Sequence, residues 1–181
     1  SVYDKTMRIV KCAEAVCDAA GITGTQRDDI LRTALLCKAD LITSAVVEFT
    51  SLQGIMGGHY ARFSGETPEV ALGITDHYRP RFADDDLPRN LAGTVTAFSD
   101  KLDTICGIFA IGAGPTGSSD PFALRRAAIG IVNILLSGLD VSLSELIDVA
   151  LGNYRDVVDF DFDAVRDQVR AFFATRLEVI A

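Results

Sequence analysis

The chain has 181 residues, of which 49% are hydrophobic and 23% are charged, and its formal net charge is −8. This length supports one sizeable core, the composition excludes a disordered tail, and no apolar run approaches the roughly 20 residues that a membrane span needs. The acidic balance excludes a protein that binds nucleic acid with its whole surface, because phosphate contacts need local positive potential. A small basic patch remains compatible with it.

Apolar residues recur with the period of an α-helix almost throughout the chain, and strand patterns are nearly absent. The sequence therefore predicts an all-α fold. The predicted helices cover about residues 4–20, 26–47, 52–63, 68–79, 91–111, 120–136, 142–152 and 161–180. We assign residues 1–138 to one helical domain and residues 139–181 to C-terminal helices. Because the last predicted helix runs up to Ala181, we expect a further domain after it.

The predicted helix over residues 91–111 has an apolar stripe on one side and, nearly opposite, a stripe of small residues that contains Asp100. A helix of this kind is expected at the centre of a bundle, packed on both sides. Asp100 is therefore predicted to be buried, and a buried carboxylate needs a partner. Asp40 has apolar and small neighbours one turn away, so we expect it to point inward too. Lys38 and Lys101 are candidate donors for the two acids.

The surroundings of these two acids resemble an HD-type metal phosphohydrolase from which the histidines have been removed. In that superfamily an apolar helix runs into a His–Asp pair, and a later Asp lies on another helix. Here Asp40 and Asp100 stand where the aspartates would be, and Ala39 takes the place of the histidine. Two carboxylates alone make a poor transition-metal site. We therefore predict an HD-like helical bundle without catalytic residues or metal, with a residual metal phosphohydrolase as the alternative.

Residues 112–117 formally match the G-x-G-x-x-G pattern, but they follow a predicted helix, whereas the dinucleotide motif follows a strand. This context excludes a Rossmann site. The loop continues through Ser118 to Asp120-Pro121, a typical helix start, with Arg125 and Arg126 in the second turn. A helix N-terminus with hydroxyl groups and arginines can receive a phosphate. The alternative is that both arginines pair with acids on neighbouring helices.

A second basic cluster lies in the loop that begins near Pro80. It contains Arg79 and Arg81 next to two aromatic residues, and loops leave charged side chains free to meet a partner. The acidic run over residues 84–86 directly beside it would weaken binding to RNA. Simple solvation of this surface loop is the alternative.

Several longer strings of residues are more specific than any spacing rule. They are KADL at 38–41, EF at 48–49, LQGIMG at 52–57, HY at 77–78, PRFA at 80–83, LP at 87–88, DKLDT at 100–104, PTGS at 115–118 and DPFALRRAA at 120–128. Together they resemble one family, the β subunit of bacterial heterotetrameric glycyl-tRNA synthetase, strongly over about residues 34–134. Two positions depart from the usual pattern of that family, which has Lys where Ser119 stands and an aromatic residue where His59 stands.

The resemblance implies a non-catalytic part of a ligase that joins glycine to tRNA in the cytoplasm. In that family the α subunit carries the catalytic core, which binds glycine and ATP with Mg²⁺, so no cofactor is expected in this chain. The β subunit supplies tRNA-binding and structural domains, among them an HD-like domain followed by an anticodon-binding domain. The implied partners are the α subunit in an α₂β₂ assembly, the other β-subunit domains and tRNA-Gly, with neither DNA nor a membrane.

If this domain contacts RNA, we expect Arg79, Arg81, Ser118, Arg125 and Arg126 to contact phosphates. Such contacts position an RNA but do not read its sequence. The alternative is a purely structural docking domain, in which the arginines lie in intramolecular salt bridges or at an interface with another domain.

Overall fold

The computed structural model describes residues 1–180, and within them it contains helices and no strand, which confirms the predicted all-α fold. Ala181, where the last predicted helix meets the end of the chain, lies outside the described residues. Two short 3₁₀ turns, Ala39–Ile42 and Thr50–Leu52, flank the third helix. The helices are α1 Val2–Ala20, α2 Gly24–Leu36, α3 Ser44–Glu48, α4 Ile55–Phe63, α5 Pro68–Asp76, α6 Leu91–Ala110, α7 Leu124–Leu136, α8 Leu143–Gly152 and α9 Phe162–Ile180.

Most helices begin at a residue whose side chain caps the first turn. The hydroxyl of Thr67 accepts a hydrogen bond from the amide of Val70, and Pro68 follows as the first residue of α5. Asn90 caps α6 and Ser142 caps α8 in the same way. A side-chain acceptor at this position satisfies an amide that has no partner within the helix. The starts of these helices are thus encoded locally.

Helix α6 lies at the centre of the bundle and packs against α1, α2, α5, α7, α8 and α9. Its apolar side buries Phe98 and Leu102 completely. On its small-residue side, a Cβ at Gly107 would lie only 2.6 Å from Cζ of Tyr154, so the absence of a side chain lets that ring approach the helix. Both faces are therefore covered, as the sequence predicted.

The predicted helix over residues 26–47 is wrong beyond Leu36. The chain turns through the 3₁₀ segment at Asp40 and starts α3 at Ser44, because the hydroxyl of Thr43 accepts from the amide of Val46 and caps a new helix. The apolar period continues through this break, but Ile42 is 82% exposed. The periodicity here therefore does not mark one buried face.

The predicted start of the sixth helix at Asp120 is also wrong, since α7 begins at Leu124. Asp120 still caps it, because its carboxylate accepts from the amides of Leu124, at 2.8 Å, and Arg125, at 3.0 Å. Ala123 adopts a left-handed conformation, with φ of 54°, directly before the helix. Residues 121–123 therefore form a turn between the capping side chain and the helix.

Helices α8 and α9 pack on α6, and their residues Leu151 and Phe173 belong to the same hydrophobic core as Phe98. The division of the chain at residues 138 and 139 and the HD-like arrangement of the helices stay predictions. No helix within the described part of the chain is both long enough and apolar enough to cross a membrane.

Candidate functional site

A cluster of buried charged and polar side chains joins the ends of α2 and α5 to the middle of α6. Lys38, which is 7% exposed, places Nζ 2.7 Å from Oδ2 of Asp100 and 3.0 Å from Nε2 of His77. The same ammonium lies 4.0 Å from the centre of the Tyr78 ring, a cation–π distance. We call Lys5, Lys38, His77 and Asp100 the buried ion cluster.

Lys5 adds a second cation to this cluster from α1. Its Nζ lies 3.2 Å from Oδ1 of Asp100 and 2.7 Å from Oδ2 of Asp103, and it donates to the hydroxyl of Thr104 at 2.6 Å. Arg8, one turn further along α1, donates to the other oxygen of Asp103 at 2.9 Å. Because Asp103 is fully buried, these bonds fix α1 to α6 through charge as well as packing.

The charges in the cluster support one another. Burial opposes ionisation of Asp100, but the ammonium groups of Lys38 and Lys5 outweigh it and hold the pKa of this carboxyl well below its usual range. Burial likewise opposes the charge on Lys38, and Asp100 outweighs it, so the pKa of Lys38 is raised. For His77, burial and the nearby charge of Lys38 lower the pKa to about 3.

His77 is therefore a neutral imidazole at neutral pH. Its Nε2 accepts from the ammonium of Lys38, which fixes the proton on Nδ1, and Nδ1 donates to the carbonyl of Ile74. Both ring nitrogens have a partner within the fold. The structure thus gives His77 a structural role.

Asp40 is buried as predicted, but it does not share a partner with Asp100. Its Oδ2 accepts from the amides of Gly54, at 2.6 Å, and Gly57, at 3.0 Å. These bonds hold the turn that leads into α4. Of the two predicted lysine donors, Lys38 does bind Asp100, whereas Lys101 donates to the carbonyl of Tyr78.

The residues at this place do not fit a divalent metal ion. The ammonium groups of Lys5 and Lys38 contact the oxygens of Asp100. The other possible ligand atom, Nε2 of His77, already accepts a hydrogen bond from Lys38. A metal ion would be repelled by ammonium groups at this range. Ala39 offers no ligand atom, and among residues 1–180 no group of three or more His, Cys, Asp or Glu side chains could hold a metal.

A basic face lies on the outside of α7. The loop after α5 crosses this helix, since Cγ of Pro80 lies 3.2 Å from where a Cβ at Gly130 would stand and Asn133 donates to the carbonyl of Ala83. Arg126 is one turn before Gly130 on α7, and Arg81 follows Pro80 in the loop. Both arginines are exposed, and the described residues give neither side chain a hydrogen bond or ion pair.

Lys101 of α6 lies against the same glycine of α7 as Pro80. Its Cε lies 3.0 Å from the position of a Cβ at Gly130, and its Nζ donates to the carbonyl of Tyr78 at 3.2 Å. Burial lowers the pKa of Lys101 to about 8 and outweighs the carboxylate of Asp100, which acts in the opposite direction. We call Arg81, Lys101 and Arg126 the basic face.

The neighbouring acidic run is partly used to fold the loop. The carboxylate of Asp85 accepts from the amides of Arg81, at 2.8 Å, and Asp86, at 2.9 Å. These bonds hold the loop backbone at Arg81 in place. Part of the negative charge of residues 84–86 is therefore satisfied within the loop itself.

The other three candidate residues have different surroundings. Arg79 lies 3.8 Å from the buried carboxylate of Asp76, which Arg89 also holds. Arg125 donates to the carbonyl of Gly117, so its side chain leans over the loop before α7. Ser118, the residue after Gly117, is exposed in that loop. The structure thus brings Arg81 and Arg126 to one face of the molecule and places Arg79 in an internal ion pair.

Sequence reasoning missed Lys5 and Arg8 of the α1–α6 contact, Lys101 of the basic face, and Arg176 on α9. A signal for the first pair was available. Lys5 and Arg8 stand on the same side of α1 as the buried Ile9 and Cys12, and cations on an apolar face require acidic partners elsewhere. Lys101 was considered only as a donor to the buried acids, and no local pattern pointed to its place on the basic face or to Arg176.

A family model described as "Glycyl-tRNA synthetase beta subunit" matches residues 1–181. The chain belongs to this family. Curated relatives of the family, each named glycine–tRNA ligase beta subunit, are 48% identical over 183 residues in Desulforamulus reducens and 47% over 183 residues in Synechocystis sp.. A third, from Clostridioides difficile, is 46% identical over 179 residues. The resemblance inferred from the strings at residues 34–134 is thereby confirmed.

These relatives are much longer proteins. The three matches cover 99%, 99% and 98% of this chain but only 26%, 25% and 26% of the respective relatives. The chain thus spans about a quarter of the length of the curated relatives it matches. Family membership therefore assigns this sequence to the beta subunit, and it leaves the part played by this quarter to be argued from the geometry.

Proposed function

We propose that this chain is a non-catalytic domain of the beta subunit of a glycine–tRNA ligase, and that its basic face contacts the phosphate backbone of tRNA-Gly. The observation that carries the proposal is the grouping of Arg81, Lys101 and Arg126 on one face of a chain whose net charge is −8. Local positive potential is what phosphate contacts require. The family supplies the identity of the RNA.

The buried ion cluster supports the non-catalytic part of the proposal. Both carboxylates that resemble a metal site are engaged, Asp100 by ammonium groups and Asp40 by backbone amides. Catalysis, with ATP and Mg²⁺, would lie on the partner alpha subunit of an α₂β₂ enzyme in the cytoplasm, and this domain would need no cofactor. The HD-type phosphohydrolase alternative gains no support from this arrangement.

The chemistry of the basic face suits positioning of an RNA. A guanidinium can donate two parallel hydrogen bonds to one phosphate, and Lys101 adds a point charge. Arg126 stands on a helix and Arg81 on a loop whose backbone is bound to Asp85. The donors therefore have a defined spacing before RNA arrives. Contacts to phosphates alone would fix the position and orientation of tRNA-Gly on the protein without reading its bases.

Replacing Arg81 and Arg126 together by Gln tests this proposal. In the assembled enzyme we expect tRNA-Gly to bind about tenfold more weakly at low salt, and the slope of log affinity against log salt to fall by about 2, one for each lost phosphate contact. The measurement is a binding titration at several salt concentrations between 50 and 200 mM, on the order of the range over which such contacts are lost.

Arg166→Gln is the control, because Arg166 is an arginine of α9 that pairs with Asp163 and does not belong to the basic face. It should change neither the affinity nor the salt slope. Unchanged affinity and slope in the Arg81/Arg126 variant would refute RNA contact through the basic face.

A docking role within the beta subunit is the second candidate, and one observation favours it. The segment around α3 and α4 exposes large apolar side chains, with Ile42 82% and Phe63 90% accessible and Phe49 also exposed. Exposed apolar side chains of this size are typical of surfaces that another domain covers. The occupant we propose is the remainder of the beta subunit, since this chain spans only a quarter of its relatives. The two roles use different surfaces and are compatible.

A further inference from the structure

A cleft of about 590 Å³ lies between α9 and the loop that follows α6. One wall is the glycine-rich loop of residues 112–116, which the sequence pattern had excluded as a dinucleotide site. The opposite wall is the face of α9 that carries Phe172. The polar side chains of the lining are Thr116, Arg125, Gln168, Thr175 and Arg176, and among the described residues no carboxylate lines the cleft.

Two guanidinium groups therefore enter the cleft from opposite walls. Arg125 comes from the first turn of α7 and uses one of its donors on the carbonyl of Gly117, which leaves its other N–H groups available. Arg176 comes from α9 and lies over the ring of Phe172, 5.4 Å from its centre. Stacking of this kind fixes the plane of a guanidinium without using its hydrogen-bond donors.

Arg176 also lacks an acceptor. Its Nε is buried, and no residue in the described part of the chain bonds to it. The same holds for Arg166 and Arg170 on this helix, but of the three only Arg176 lines the cleft. A buried donor without a partner is costly, so an unpaired one at the wall of a cleft points to an acceptor that arrives from outside. The described residues thus give the cleft N–H and O–H donors, two positive charges and no competing acid.

We propose that this cleft binds a phosphate group of the tRNA backbone, held between Arg125 and Arg176. The inference rests on the proposed function for the identity of the RNA, and it uses residues that the basic face does not. A phosphate is the fitting ligand because it carries several acceptor oxygens and no donor, and guanidinium groups bind it in bidentate geometry. Since Arg125 precedes Arg126 directly on α7, the cleft flanks the basic face.

The test is a tRNA-Gly titration of the assembled enzyme carrying Arg125→Gln and Arg176→Gln, at low and moderate salt. We expect about a tenfold loss of affinity at low salt and a salt slope reduced by about 1, the value for one phosphate contact. Arg166→Gln on the same helix is again the control. Unchanged tRNA affinity would overturn the proposal.

Two further arms make the outcome specific. In the first, inorganic phosphate is titrated into the same variant. If the variant loses affinity for phosphate but keeps its affinity for tRNA, the ligand of the cleft is free phosphate and the RNA assignment is overturned. Thr175→Glu places a carboxylate on the exposed rim of the cleft without removing either arginine. If the double variant is too unstable to assemble, weakened tRNA binding by Thr175→Glu supports the proposal, and unchanged binding overturns it.

The cleft and the basic face can fail separately. Loss of affinity in the Arg125/Arg176 variant but not in the Arg81/Arg126 variant keeps the cleft and removes the basic face. The reverse result removes the cleft and keeps the basic face.

Discussion

Replacing Lys38 by Met is expected to lower the free energy of unfolding by about 3 to 5 kcal/mol, the range for breaking a buried ion pair by removing one partner. Met fills a similar volume but leaves Oδ2 of Asp100 without its donor at 2.7 Å, and it leaves Nε2 of His77 without a donor. Lys5 still contacts the other oxygen of Asp100, which places the expected loss toward the lower end. Urea unfolding of the chain at neutral pH measures it.

The matched control is Lys11→Met on α1, because Lys11 is exposed and makes no hydrogen bond or ion pair with the described residues. Its effect should stay within about 0.5 kcal/mol. The variant that combines Lys38→Met with Asp100→Asn should recover part of the loss, since no unpaired charge is then buried. A loss below about 1 kcal/mol for Lys38→Met alone would show that the Lys38–Asp100 pair does not stabilise the fold.

The buried ion cluster also connects the fold to the proposed RNA contacts. His77 precedes Arg81 by four residues, and Asp100 is adjacent to Lys101 on α6. The buried ion cluster therefore holds the backbone near two members of the basic face, near Arg81 through His77 and near Lys101 through Asp100. Lys38→Met should weaken tRNA binding only as far as it loosens this segment, so its binding defect should follow its stability defect.

Local sequence predicted most of the fold because caps and periodicity are local signals. The central position of α6 followed from its two opposite stripes, and the predicted starts at residues 68 and 91 match α5 and α6. The break after Leu36 did not, because apolar residues such as Ile42 and Val47 continue the helical period while their side chains are exposed. A helical period reports which residues share a side of a helix, and it does not report what covers that side.

The candidate sites show the same limit. The need of Asp100 for a partner followed from its place in a small-residue stripe, and Lys38 was a candidate donor. Lys5, by contrast, reaches Asp103 across 98 positions in the chain, and Arg176 faces Arg125 only because α9 packs beside the loop after α6. Contacts of this range depend on how helices pack, which no local pattern in one sequence encodes.

Acidification from pH 7 to pH 5 is expected to cost the chain about 2 kcal/mol of stability through His77 alone. Burial and the charge of Lys38 lower the pKa of His77 from 6.5 to about 3 in the folded protein. Below pH 6.5 the unfolded chain therefore binds a proton that the folded chain does not. The stabilising contribution is complete above pH 6.5 and is lost progressively as the pH falls toward 3, at about 1.4 kcal/mol per pH unit. Urea unfolding at half-unit steps between pH 7 and pH 5 measures this slope.

His77→Gln removes the titrating group from the core, so it should lower stability at pH 7 and flatten the pH dependence over this range. His59→Gln is the control, because His59 is exposed on α4 and makes no hydrogen bond with the described residues. That variant should keep the slope of the unaltered chain. The carboxylate of the buried ion cluster does not titrate in this window, since the pKa of Asp100 lies far below it. An equal slope in His77→Gln and in the unaltered chain would mean that the acid sensitivity comes from another group, and that His77 takes up its proton without unfolding.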